Sequence, residues 1–203
     1  MPERVLEVGL ASRAAPAEER SGDAAVVELR PDGALVAAVD ALGHGPDAAR
    51  TADIAAAVLR KFASEPPHAL VARCHDELRG TRGIALSLAA FSPSNGTITW
   101  LGVGNVEGRL VRTAPVGSTT VASLTTVAGT IGDVLPPSLA AVTLPVERGD
   151  AVVLATDGLR REFADELDLA GPAQRIADRL LEEHGRGADD ALVLVARLLG
   201  GAS

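Results

Sequence analysis

Several aspartates in this sequence stand where an apolar run begins or ends. They are Asp23, Asp40, Asp157, Asp189 and Asp190. A short apolar run bounded by turn residues is typical of a buried strand, so each of these acids is expected at the rim of a sheet. Hard divalent cations such as Mg²⁺ and Mn²⁺ prefer oxygen ligands and keep several water molecules. If the acids meet in space they predict a metal site, because clustered carboxylates without a cation would repel one another.

Each aspartate taken singly could instead be a turn or capping residue, because Asp is common in turns. We interpret Asp32 and Asp150 in this way. The combination favours a shared site, since the other acids flank buried strands and two of them precede turns that contain glycine. Two metal ions a few ångströms apart could bind a phosphate, lower the pKa of a bridging water and stabilise the leaving oxygen.

The predicted strands bring two of these acids together. Pro31-Asp32-Gly33 is typical of the turn in a β-hairpin, here between strands at residues 23–29 and 34–39. Asp23 and Asp40 lie at the open end of this hairpin, away from the turn. Pairing across the turn therefore predicts that these two side chains are neighbours.

The remaining elements are predicted from hydrophobic spacing and from glycine and proline. Further strands are expected at residues 5–10, 83–91, 97–103, 106–112, 140–146, 151–156 and 191–199. Helices are expected from Gly45-Pro46, from Pro66-Pro67 to Gly80, and over residues 172–183 before Gly185. Residues 113–138 carry no clear pattern. Antiparallel hairpins segregated from helices indicate an α+β fold, and without a linker or repeat we expect a single domain over residues 1–203.

Composition excludes several classes of function. The 203 residues suit one domain, and the net charge of -8 with scattered basic residues argues against nucleic-acid binding. A single cysteine excludes an internal disulfide and fits a cytoplasmic location. The first residues lack the apolar segment of a signal peptide, and no run approaches ~20 apolar residues, so we expect no membrane span.

Four motifs in this order resemble the protein phosphatase 2C (PPM) superfamily, above all its compact SpoIIE-like branch. They are Ser21-Gly22-Asp23, Val39-Asp40-Ala41-Leu42-Gly43-His44-Gly45, Ala155-Thr156-Asp157-Gly158 and Asp189-Asp190-Ala191. Residues 80–83 and 102–107 are similar to stressosome phosphatases of the RsbX type. The resemblance covers residues 5–199 and implies a four-layer αββα sandwich, with two mainly antiparallel sheets flanked by helices.

The resemblance also implies a centre of Mn²⁺ or Mg²⁺, with two ions. Asp40 would bridge the metals, the backbone carbonyl of Ala41 would be a further ligand, and Asp23 would act through metal-bound water. Asp157 and Asp189 would complete one metal's shell, with Asp190 as the alternative to Asp189. Asp40 and Asp157 would thereby be catalytic, through the water that the metals activate.

The activity implied is that of a metal-dependent protein serine/threonine phosphatase. Its expected substrates are phosphorylated STAS-domain proteins of a stressosome, similar to RsbS and RsbR. One alternative is a non-catalytic binding module of the same fold, because Ala41 replaces the family's usual Gly and Leu192 stands where Thr or Ser is common. Another is an RsbU-like phosphatase that acts on an anti-anti-sigma factor.

Other polar residues have two interpretations each. His44 could donate a proton to the leaving seryl oxygen, but we favour a role in supporting the glycine turn through a backbone hydrogen bond. Asn105 could orient metal ligands or serve the turn in which it lies. Arg13 and Arg20 could bind phosphate but are interpreted as surface residues, and Thr81-Arg82 could contact phosphate but is interpreted as structural.

The other histidines and the cysteine are given structural interpretations. His68, His75 and His184 are expected to be solvated. Cys74 occupies an inward helical position and is expected in the core.

Overall fold

The computed structural model describes residues 5–113, 119–165 and 167–200. Within these ranges the chain forms ten strands and three α-helices. The strands are β1 (Leu6–Arg13), β2 (Asp23–Arg30), β3 (Gly33–Ala41), β4 (Ile84–Ser92), β5 (Thr97–Val103), β6 (Glu107–Thr113), β7 (Thr119–Leu124), β8 (Val142–Pro145), β9 (Ala151–Ala155) and β10 (Ala191–Leu198). The helices are α1 (Pro46–Lys61), α2 (Pro67–Glu77) and α3 (Ala173–His184).

The strands form two five-stranded sheets, and every strand pairing in them is antiparallel. One sheet has the order β2-β3-β4-β5-β8 and carries α1 and α2, and the other has the order β1-β10-β9-β6-β7 and carries α3. This arrangement confirms the predicted α+β class and the four-layer αββα sandwich. Among the described helices, none is long and apolar enough to cross a bilayer.

The two sheets pack face to face over an aliphatic core with few aromatic rings. Trp100, Phe91 and Ile98 lie in this layer with side chains such as Val152 and Leu194 from the opposite sheet. Aromatic residues make up 2% of the chain, so Val, Leu and Ala fill most of the layer. Burial of this apolar surface is the main force that holds the sheets together.

The helices bury narrow apolar faces against the outer sides of the sheets. Gly45 caps α1 with a φ of 81°, a conformation that favours glycine, and Pro46 occupies the first turn, as predicted. Ile176 and Leu180 of α3 are buried as expected. His184 follows Leu180 by four positions on the same face and is buried, so the prediction that it is solvated is wrong.

The other structural interpretations have mixed outcomes. Cys74 is buried in the core, as predicted, and burial raises the pKa of its thiol to about 12. His68 is exposed, whereas His75 is half-buried and accepts a hydrogen bond from the backbone N–H of Gly132. Asp150 accepts a hydrogen bond from the backbone N–H of Glu147, which confirms its turn role.

The edge strands are where sequence and structure differ most. β7 lies within residues 113–138, for which no element was predicted, and residues 114–118 of that stretch lie outside the described ranges. Five of its six residues are exposed, so the strand has no alternation of apolar and polar residues to identify it. β8, an edge strand of the other sheet, is shorter than the predicted strand at 140–146. Residues 1–4, on which the expectation of no signal peptide depends, also lie outside the described ranges.

Candidate metal centre

The hairpin of β2 and β3 places two acids side by side at the rim of its sheet. Asp23 is paired directly opposite Asp40 in the strand register, as the turn at residues 31–33 predicted. On its other side Asp40 is paired opposite Ala85 of β4. Asp40 therefore lies on a central strand, which fixes its backbone on both sides.

The second sheet brings the remaining acids to the same end of the sandwich. β9 ends beside the start of β10, so Asp157 and the pair Asp189-Asp190 become neighbours. A cavity of about 170 Å³ lies between the two sheets at this end. It is lined by five carboxylates and four other residues, namely Asp23, Asp40, Asp157, Asp189, Asp190, Leu42, Gly43, His44 and Asn105.

Gly158 allows the turn after β9 to approach β10 closely. A methyl group on Gly158 would lie 1.9 Å from the carbonyl oxygen of Asp190, a distance that no side chain tolerates. The glycine next to Asp157 is therefore required by packing. It lets Asp157, which follows β9, and the pair Asp189-Asp190, which precedes β10, line the same cavity.

Thr156 orients Asp23, a role that the sequence analysis did not identify. Its hydroxyl donates to Oδ2 of Asp23 at 2.7 Å and accepts the backbone N–H of Leu192 at 2.9 Å. Thr156 is buried, so both bonds lie away from solvent. Its position directly before Asp157, at the end of a buried strand, was the available signal.

Asn105 orients Asp157. Its side-chain amide donates to Oδ2 of Asp157 at 2.7 Å. Asn105 therefore orients an acid of the cavity and also lies in the turn between β5 and β6, while its orientation of a metal ligand stays a prediction. One oxygen of Asp157 is fixed in this way.

The neighbours Asp189 and Asp190 have different surroundings. Asp190 is buried, and its two carboxylate oxygens accept the backbone N–H groups of Ala15 and Gly22 at 2.8 and 2.7 Å. Asp189 is exposed, and only its Oδ1 is bonded, to the N–H of Asp190 at 2.9 Å. Asp190 thus ties the β1–β2 loop to the site, while Asp189 has a carboxylate oxygen open to the cavity.

The two acids of the hairpin hold their protons unusually tightly. Burial, followed by the charge of Asp40, raises the pKa of Asp23 to about 8, although the hydrogen bond from Thr156 opposes the shift. Burial, followed by the charges of Asp157 and Asp189, raises the pKa of Asp40 to about 7. Both shifts come first from burial and then from neighbouring carboxylates, and a divalent cation at this place would oppose them.

Ala41 keeps an ordinary strand conformation in place of the family's usual glycine. In the described part of the chain the only residue other than glycine with a positive φ is Ala17. The backbone N–H of Ala41 donates to the carbonyl oxygen of Gly22 at 3.1 Å. The substitution therefore imposes no strain on the backbone that follows Asp40.

His44 is exposed at the mouth of the cavity. Its Nδ1 lies 2.9 Å from Oε1 of Glu18, so the interpretation that its ring makes a backbone hydrogen bond is wrong. Gly43 and Gly45 have φ values of 89° and 81°, so these glycines form the turn by their own conformational freedom. This hydrogen bond instead connects the turn to the loop that carries Glu18.

The arginines proposed as phosphate ligands lie away from the residues that line the cavity. Arg20 pairs with Asp53 of α1, in keeping with the surface interpretation. The guanidinium group of Arg13 lies against Gly185. Arg82 is different, because its Nη1 would lie 2.6 Å from a methyl group on Gly43, which does line the cavity.

The donor set fits a hard divalent cation that keeps part of its water shell. The five acidic side chains that line the cavity are carboxylates. Mg²⁺ and Mn²⁺ prefer such oxygen ligands. Among the described residues no three Asp, Glu, His or Cys side chains close into a ready-made metal cage. A cation held here would therefore need water ligands as well, and the cavity has room for them.

Comparison with known proteins agrees with this geometry. Residues 30–199 match the family model of stage II sporulation protein E (SpoIIE). No curated protein sequence matches the chain significantly. The family match includes Asp40, Asp157 and the pair Asp189-Asp190, while Asp23 precedes it.

Solved structures share the fold over almost the whole chain. One, described as "The bacterial stressosome: a modular system that has been adapted to control secondary messenger signaling", is 29% identical with a TM-score of 0.85, and the match covers 96% of this chain and 100% of that one. RsbX in complex with magnesium is 20% identical, with a TM-score of 0.81 and 95% of each chain covered. The serine/threonine phosphatase PstP/Ppp of Mycobacterium tuberculosis is 17% identical, with a TM-score of 0.73, and 98% of this chain and 100% of that one are covered.

Proposed function

This chain belongs to the SpoIIE family, as its motifs predicted, and we propose that it is a metal-dependent protein serine/threonine phosphatase. The observation that carries the proposal is the cavity at the end of the sandwich, where five carboxylates from both sheets converge. The raised pKa values of Asp23 and Asp40 are consistent with it, because a bound divalent cation would offset the repulsion among these neighbouring carboxylates.

In this proposal the acids of the cavity hold two Mn²⁺ or Mg²⁺ ions. Asp40 would be shared between the ions, the backbone carbonyl of Ala41, Asp157 and Asp189 would be further ligands, and Asp23 would act through metal-bound water. The ions supply Lewis acidity, which lowers the pKa of water and neutralises charge on the phosphoryl oxygens.

The chain's own residues fix the ligands before substrate arrives. Thr156 holds one oxygen of Asp23, and Asn105 holds one oxygen of Asp157. Neighbours that orient ligands in this way typically change metal affinity or activity by about 10–100-fold when removed. We propose Asp189 as the ligand in preference to Asp190, because both oxygens of Asp190 already accept backbone N–H groups.

We further propose that the substrate is a phosphorylated STAS-domain protein of a stressosome, similar to RsbS or RsbR, and that the reaction takes place in the cytoplasm. The support is the likeness to the structure described as "The bacterial stressosome: a modular system that has been adapted to control secondary messenger signaling", which is matched over its full length. The geometry of the cavity supports only the chemistry, so this choice of partner depends on that likeness.

Hydrolysis of a phosphoserine protein or of p-nitrophenyl phosphate with Mn²⁺ tests the activity. Asp40→Asn and Asp157→Asn should reduce the rate to background, because each removes a charged ligand at nearly constant shape. Asp32→Asn is the matched control, since Asp32 is an exposed turn residue and should keep the wild-type rate. An inactive wild-type protein, or full rates in both cavity variants, would overturn the proposal.

Two departures from the family pattern led to the alternative of a non-catalytic module, and neither of them distorts the described structure. Ala41 has an ordinary conformation, and Leu192 is a buried residue of the core between the sheets. Calorimetric titration with Mn²⁺ separates the alternatives, because a module without a metal centre would bind none at millimolar concentration. Parallel assays on a stressosome STAS protein and on an anti-anti-sigma factor decide between RsbX-like and RsbU-like substrates.

A further inference from the structure

A second, basic groove lies beside the acidic cavity. It has a volume of about 390 Å³ and runs between α1 and the turn that joins α2 to β4. Its α1 wall includes Asp47, Arg50 and Ile54, which fall on one face of the helix because they are spaced three or four positions apart. Its other wall includes Thr81 and Arg82.

Internal hydrogen bonds fix both walls. The hydroxyl of Thr51 on α1 donates to the carbonyl oxygen of Asp47 at 2.9 Å. The hydroxyl of Thr81 donates to the carbonyl oxygen of Leu78 at 2.7 Å and accepts the N–H of Gly83 at 3.1 Å. The threonine hydroxyls are therefore occupied, and the groups of the groove that remain available are charged.

The two arginines of the groove have no partner in the described part of the chain. Neither Arg50 nor Arg82 makes an ion pair, hydrogen bond or ring contact there, whereas arginines such as Arg20 and Arg73 pair with carboxylates. The chain as a whole carries a net charge of -8, whereas this groove contains two guanidinium groups without a partner among the described residues. The groove is therefore more positive than the chain as a whole. Asp47 is the one acid that lines the same groove.

The groove and the acidic cavity meet at Gly43. This glycine lines the cavity, and Nη1 of Arg82 lies so close that a methyl group on Gly43 would be 2.6 Å from it. A peptide whose phosphorylated residue enters the cavity would therefore pass Arg82 within a few residues, since an extended chain advances about 3.3 Å per residue.

We propose that this groove binds an acidic side chain of the substrate protein, close in sequence to the phosphorylated serine or threonine. A guanidinium group matches a carboxylate with two parallel hydrogen bonds, so a pair of unpaired arginines favours Asp or Glu over a neutral residue. The groove would thereby determine specificity for the sequence around the phosphate. This inference rests on the proposed phosphatase activity of the neighbouring cavity.

The test compares phosphopeptides that differ only in one flanking residue. Glu or Gln is placed in turn at each of the positions near the phosphoserine, and kcat/KM is measured with Mn²⁺. At the best position the wild-type protein should prefer Glu by about tenfold, which corresponds to ~1.4 kcal/mol. Arg50→Gln and Arg82→Gln should each reduce this ratio, and the double variant Arg50→Glu with Arg82→Glu should invert it, so that Gln is preferred over Glu.

A charge change elsewhere provides the matched control. Arg175 lies exposed on α3, on the other sheet, and makes no ion pair among the described residues, so Arg175→Glu should keep the wild-type Glu/Gln ratio. Far-ultraviolet circular dichroism verifies that each variant is folded. A ratio near one at every position, or the same ratio in the Arg50 and Arg82 variants as in wild type, overturns the groove as a specificity site. Loss of hydrolysis of all peptides by wild type would instead overturn the phosphatase proposal.

Discussion

The hydroxyl group of Thr156 connects Asp23 in the acidic cavity to the backbone of β10. It donates to Asp23 across the two sheets and accepts the N–H of Leu192 within one of them. Thr156 and Leu192 are buried, whereas Asp23 is half-buried and lines the cavity. At the scale of single residues, ligand orientation and fold stability therefore depend on the same atom.

Two substitutions of Thr156 should distinguish the effect of its hydroxyl group from the effect of its side-chain volume. Thr156→Val keeps the volume but leaves a buried N–H without an acceptor, so we expect a loss of about 1–3 kcal/mol in the free energy of unfolding. Thr156→Ser retains the hydroxyl and should bind Mn²⁺ as wild type does. Urea unfolding and calorimetry measure the two effects, and a Val variant with wild-type stability and Mn²⁺ affinity would contradict this role.

Proton release on metal binding follows from the raised pKa values of Asp23 and Asp40. Without metal, the folded chain holds more protons than the unfolded chain between about pH 4 and pH 8, so its stability should fall as pH rises through this range. Mn²⁺ must displace these protons, so its affinity should rise with pH over the same range. Calorimetry in two buffers of different ionisation enthalpy measures the release, and Mn²⁺ affinity that is constant between about pH 6 and 8 would refute the prediction.

At the scale of elements, the β1–β2 loop is held in place by a residue that precedes β10. Asp190 accepts the N–H groups of Ala15 and Gly22, and the carbonyl of Gly22 in turn accepts the N–H of Ala41. The loop therefore connects the first sheet edge to the strand that carries Asp40. Its position in space depends on this carboxylate together with the contacts of Glu18 with His44 and of Arg20 with Asp53.

Substitution of the two neighbouring acids should give opposite results. Asp190→Ala removes a buried acceptor of two N–H groups and should cost about 2–5 kcal/mol in the free energy of unfolding. Asp189→Ala changes an exposed residue and should leave stability within about 0.5 kcal/mol of wild type while Mn²⁺ affinity falls. Thermal unfolding and calorimetry distinguish the two. Equal losses of stability in both variants would contradict the assignment of Asp190 to holding the β1–β2 loop and of Asp189 to binding metal.

The sequence predicted the central elements because their patterns are local. The turn at residues 31–33 and the apolar strands beside it fix which acids are paired, so Asp23 and Asp40 were placed correctly. Contacts between distant segments left no local pattern, and these include the bond from Thr156 to Asp23 and that from His44 to Glu18. β7 was missed for the related reason that an exposed edge strand needs no apolar face.

At the scale of the whole molecule, the core between the sheets contains the chain's single tryptophan. Trp100 is buried, and its Nε1 donates to the carbonyl oxygen of Thr125 at 2.9 Å. The chain has no tyrosine, so its fluorescence reports almost entirely on the packing of one sheet against the other. This property allows the proposal of a single domain to be tested directly.

If the chain is one cooperative unit, the sheets and the helices should unfold together. Trp100 fluorescence and far-ultraviolet circular dichroism should then give the same urea midpoint, because neither sheet can keep its inner face buried alone. Phe91→Ala leaves a cavity in the same core and should reduce the free energy of unfolding by about 3–5 kcal/mol. Both urea midpoints should then fall by the same amount. Two separate transitions would indicate more than one folding unit.

The bonds from Asp190 to Ala15 and Gly22 join residues 175 and 168 positions apart, and β1 pairs with β10. Contacts of such separation form slowly, because a long stretch of chain must be ordered before they stabilise it. During translation a nascent chain can form the hairpin with Asp23 and Asp40 early, but it has no complete cavity until β10 has left the ribosome. On the proposed function, metal loading, and with it any activity, would therefore wait until the fold is closed.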